Sequence, residues 1–92
     1  MLSSYSQFSH EQASRLLRRL CAHFAHKVEV HCSENEGRLL FSIGECVLQA
    51  DDDALYLTCT APSAHEMAEL QEVVRRHLQG FAQVDNLVLQ WQ

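Results

Sequence analysis

Between Val28 and Ala61 the chain passes through four short segments in which apolar and polar residues alternate, and only a few residues separate one from the next. In "KVEVHC" the apolar set is Val28, Val30 and Cys32. In "RLLFSI" it is Leu39, Phe41 and Ile43, in "CVLQA" Cys46, Leu48 and Ala50, and in "ALYLTCTA" Leu55, Leu57 and Cys59. A period of two puts successive side chains on opposite faces of a strand. The connections "SENEG", Gly44-Glu45 and "DDD" are too short for crossovers, so these strands form an antiparallel meander with one covered and one open face.

Two helices flank the meander and supply the cover. Ser9 with Gln12 reads as a capping box, with Phe8 and Ala13 as a hydrophobic staple. Ala13, Leu16, Leu17, Leu20 and Phe24 then share a face at helical spacing. Pro62 stops the preceding strand, and Ser63 with Glu66 is a second capping box. Ala64, Met67, Ala68, Val74 and Leu78 gather on the inner side of that helix, and Gly80 is placed to end it. "NLVLQW" reads as a closing strand on Leu87, Leu89 and Trp91, and "MLSSYSQF" as an added edge strand. The expected fold is a single α+β domain over residues 1–92. It is a two-layer sandwich of a mainly antiparallel sheet with two helices on one face, in the order (β)αββββαβ.

Charge and hydropathy narrow the function classes. The net charge is −5, and the seven Lys and Arg residues read as scattered or paired with acids. No basic stripe tracks a phosphate backbone, which argues against nucleic acid as a partner. No apolar run reaches the roughly 18–20 residues of a membrane span. "MLSSYSQFSHEQ" has neither the basic nor the apolar region of a signal peptide, so a cytoplasmic location is expected. The four cysteines form no C-x-x-C pair and are expected to stay free thiols there.

The stretch "LCAHFAHK" concentrates the candidate chemistry. His23 and His26 are three residues apart, a spacing that brings helical side chains together. Imidazole pairs suit iron, zinc or haem, which makes these two the candidate metal ligands. The alternative is a helix end at which His26 and Lys27 favour the negative pole of the dipole while His23 packs at the sheet border. A structural zinc site takes four protein ligands and a catalytic one three, and the rest of such a set is missing here. The meander should set the two helices antiparallel, which would put His77, near the end of the second, beside the start of the first and closer to His10 than to His23. Cys21, on a helix flank near the histidines, is the thiol to test for reactivity, since Cys32, Cys46 and Cys59 fall in phase with the buried strand face. No nucleophile elbow, phosphate loop or H-E-x-x-H motif is present, "DDD" reads as a solvated turn, and no cofactor is required. On the open sheet face Leu40, Val47, Tyr56 and Val88 are the candidate interface, for a second copy or another protein.

"LCAHFAHK", "GRLLF", "CVLQA", "LQEVVRRHLQGFA" and "LVLQW", in this order, resemble the bacterial domain-of-unknown-function 2218 family along nearly the whole chain. No catalytic residue is established for that family, so none carries over. The resemblance implies a neighbourhood, since members tend to occur near or joined to flavin-dependent siderophore-interacting reductases. It therefore implies an accessory or binding domain in iron or siderophore metabolism.

Overall fold

The computed structural model describes residues 1–92. Its elements are β1 (Leu2–Ser9), α1 (Ala13–Phe24), β2 (Glu29–Cys32), β3 (Glu36–Phe41), β4 (Gly44–Ala50), β5 (Ala54–Ala61) and α2 (Ala64–Ala82). The sheet order is β1-β5-β4-β3-β2, antiparallel throughout. The meander is as expected, and the N-terminal segment pairs with β5 along its full length, from Leu2 opposite Ala61 to Ser9 opposite Ala54. Both helices lie on one face. α1 covers β2 to β5, and α2 covers β4, β5 and β1.

The core lies between the layers. Leu16, Leu17, Leu20 and Phe24 of α1 and Met67, Leu70, Val74 and Leu78 of α2 close over Leu39, Leu48, Leu55 and Leu57. Burying each such side chain contributes roughly 1.5–3 kcal/mol before the cost of ordering it. Two cross-strand rows organise the sheet side. One runs Val30, Leu39, Cys46, Cys59, Ser4; the next runs Cys32, Gly37, Leu48, Leu57, Ser6.

Local expectations fail where long-range pairing competes with them. Ser9 does not cap α1, because it is still in the β1–β5 ladder, where Phe8 faces inward opposite Leu55. The N-cap is Gln12 and makes no side-chain capping bond; instead its N–H donates to His10 Nδ1 at 3.0 Å. On α2 Ser63 does cap: Glu66 N–H donates to Ser63 Oγ, the cap half of the box, and Ser63 Oγ donates in turn to the Glu66 side chain at Oε1. Gly80 lies inside α2, whose left-handed C-cap is Gln83. The β3–β4 turn is Ser42-Ile43, not Gly44-Glu45, since Phe41 pairs with Gly44. Gly44 is needed for a different reason. A Cβ there would stand 2.3 Å from the Thr60 carbonyl oxygen and 3.0 Å from Leu70.

"NLVLQW" does not form a strand. It runs beside β1 and is tied to it by the reciprocal backbone bonds of Tyr5 and Gln92, at 2.9 and 2.8 Å. Gln79 Oε1 accepts from Leu87 N–H, and Arg75 donates to the Leu87 carbonyl. These bonds seat Leu87 and Leu89 in the core without a ladder.

Candidate functional site

The structure brings together two sets of groups that are separate in sequence, and it lays out the open face. The first set is where α1 meets α2. The His23 ring centroid lies 4.9 Å from that of His77, 5.0 Å from Phe24 and 5.6 Å from Phe81. Phe24 packs on His77 and on Phe41 as well, and the Arg19 guanidinium lies 4.9 Å over Phe81. His77 Nδ1 is 2.7 Å from the Val73 carbonyl oxygen, so that nitrogen carries a proton and donates it. His23 Nε2 is buried with no hydrogen-bond partner. Desolvation above all, then the fields of His77, Lys27 and His26, hold His23 below the ordinary histidine range.

His77 therefore sits beside His23 and not beside His10. The helices do run antiparallel, as Arg19 and His23 meeting Phe81 and His77 shows. But α2 has 19 residues against 12 in α1, and its first turns reach past α1 to β1, where Gln71 and Met67 bond Ser4. Only the last turns of α2 meet α1, which moves His77 to the end of α1. Of the candidate metal ligands, His23 is half-buried and His26 exposed. No three His, Cys, Asp or Glu side chains stand together as metal ligands would.

The thiols form the second set. Cys21, read as a flank position, is only 3% exposed, and burial with the neighbouring Cys32 thiol pushes it up to about 12. Cys46 and Cys59 are fully buried and directly opposed on β4 and β5, and each other's nearness with burial drives Cys46 well above the ordinary thiol range. Cys32, assigned to the buried face by alternation, is exposed. Its strand is the sheet edge, and the cover of α1 ends there. The sequence also hid Gly37, taken as part of a turn. The turn in fact ends earlier, and Gly37 is the β3 partner of Cys32, with the Cys21 sulfur seated over it. An isolated glycine in a strand marks a close approach, and that was the available signal.

The open face is laid out in cross-strand rows. Glu29, Leu40, Glu45 and Thr60 form one, His31, Arg38, Val47 and Thr58 the next, and Glu36, Gln49 and Tyr56 a third. Leu40, Val47 and Tyr56 thus stand on one diagonal, each a diagonal step from the next, within reach of long side chains. Val88, 73% exposed, is apart from them on the C-terminal segment beside Gln7 and Ser9. Glu29 bonds His31 at 2.7 Å, and Arg38 pairs with Glu45. A groove of about 500 Å³ runs past His31, Cys32, Arg38 and Val47. Asp51 closes the "DDD" turn, accepting from Asp53 N–H, Ala54 N–H and Tyr56 Oη; those bonds hold its carboxyl below the usual range.

Of the Lys and Arg residues, Arg38 and Arg75 are in ion pairs, while Arg15, Arg18 and Arg19 stand on α1 without one. No helix is long and apolar enough to cross a membrane.

The fold is similar to the NMR structure of PA4090 from Pseudomonas aeruginosa, at 35% identity over 100% of this chain and 96% of that one, with a TM-score of 0.87. No curated protein matches the chain. The family model for uncharacterised proteins conserved in bacteria, DUF2218, matches residues 6–92, and the chain belongs to that family.

Proposed function

We propose that this domain is a small accessory binding module of the bacterial cytoplasm that docks through its open sheet face. The observation that carries the reading is the diagonal of Leu40, Val47 and Tyr56 on the uncovered side of a five-stranded sheet. Acidic Glu29 and Glu45 lie in the row beside basic His31 and Arg38. A two-fold axis on Leu40 and Val47 would set the acidic row of one copy against the basic row of the other, the self-complementarity an isologous interface requires. The favoured occupant is therefore a second copy. Iron or siderophore metabolism is the proposed context, with a siderophore-interacting reductase as the further partner; only the family resemblance supports it.

Sedimentation equilibrium tests the interface. The wild type should form a dimer that Tyr56→Glu or Val47→Glu dissociates, while both variants keep the wild-type circular dichroism. A wild type that is monomeric at every concentration, or a dimer that survives both substitutions, overturns this use of the face. Titration with a siderophore-interacting reductase from the same bacterium tests the context separately, and no heat of binding would remove it.

A second reading, a metal or haem on the first helix, draws on the unpartnered Nε2 of His23. Its companion would be His77 and not His26. Elemental analysis and an absorption spectrum of protein purified without chelator test it. Stoichiometric iron or zinc, or a Soret band, lost in His23→Ala would establish the site.

A further inference from the structure

We infer that Cys32 and Cys21 form an oxidisable dithiol pair, with Cys32 as the entry thiol and Cys21 as the resolving thiol. The inference rests on the notch left by Gly37. Cys32 and Gly37 are directly opposed on β2 and β3, so a Cβ on Gly37 would point to the same face as the Cys32 side chain. Opposed Cβ positions in an antiparallel pair are about 4.5–5.5 Å apart. The Cys21 sulfur lies only 2.7 Å from that missing Cβ. It fills the space a side chain at residue 37 would take, next to Cys32. The absence of one side chain thus lets α1 deliver a thiol to the edge strand.

The two thiols divide the labour by exposure. Cys32 is exposed and borders the groove with His31 and Arg38, while Cys21 is closed off beneath α1. Cys46 and Cys59 are also paired but fully buried, so a soluble oxidant reaches them only if the domain opens. The ligand class is a small-molecule disulfide of the glutathione type. The Cys32 thiolate attacks one sulfur of that disulfide and expels the other half as a thiolate, leaving a mixed disulfide on Cys32. Cys21 then attacks the Cys32 sulfur and expels the second half, its proton passing to that departing thiolate. Two protein thiols are oxidised to one disulfide, and one small-molecule disulfide is reduced to two thiols.

The test uses reduced, natively folded protein and oxidised glutathione. The reaction is quenched by acid, free thiols are alkylated, and peptides are mapped by mass spectrometry. The wild type should lose two hydrogens, join the Cys21 and Cys32 peptides, and keep no glutathione. Cys21→Ala should stop at one glutathione held on Cys32, and Cys32→Ser, a change at an exposed position, should stay reduced. Amide NMR of the oxidised wild type should show shifts confined to the end of α1 and to β2. Any of three results would overturn the pair: glutathione that persists on Cys32 of the wild type, a disulfide mapped to Cys46 and Cys59, or cross-linking that needs denaturant.

Discussion

His23 and His77 meet across the α1–α2 junction with ring centroids 4.9 Å apart, and desolvation, with the fields of His77, Lys27 and His26, holds His23 below the ordinary histidine range. An imidazole in the unfolded chain titrates near ~6.5. In the fold His23 takes its proton only at lower pH, so on acidification the unfolded state binds it first. Its contribution is whole above the unfolded value and is lost as pH falls through the folded one. His31 and His65 face Glu29 and Glu69 and do not share this arrangement. Thermal melts between neutral pH and the onset of carboxylate titration should show Tm falling for the wild type and falling less for His23→Phe. Equal slopes would mean that the junction tolerates the charge.

Two glycines should respond in opposite directions. Gly80 lies within α2 with nothing near the position a Cβ would take, so Gly80→Ala should stabilise by about 0.8 kcal/mol. Gly44→Ala meets the Thr60 carbonyl and Leu70 and should cost ~3 kcal/mol or prevent folding. Urea unfolding measures both. A destabilised Gly80→Ala would restore Gly80 as the end of the helix.

Only one of the two sequence capping boxes should carry energy. Ser63→Ala removes a cap that bonds Glu66 N–H and should cost about 1 kcal/mol. Ser9→Ala, on an exposed strand end, should change stability by less than ~0.5 kcal/mol. Similar losses for both in denaturant melts would show that Ser9 does cap α1.

Ser6 ends a core row opposite Leu57 with its hydroxyl buried and unpaired. An orphaned polar group carries its desolvation cost unrelieved. Ser6→Ala should therefore stabilise by about 1 kcal/mol, read from the same denaturant curves. A loss of that size would mean that the hydroxyl has a partner, such as a bound water.

The meander and the second helix could be read directly because the interactions that make them are local. Strands two to five pair with their chain neighbours across short turns, and the Ser63 cap on Glu66 N–H closes within four residues. An alternating pattern and a cap spacing are enough to specify such contacts. The candidate site is different. Cys21 reaches Cys32 because α1 lies across the β2–β3 edge and Gly37 has no side chain. His23 reaches His77 because α2 outruns α1 and only its last turns meet it. Residues distant in the chain come together through the relative register of packed layers, which is set by how core volumes fit and which no local preference encodes.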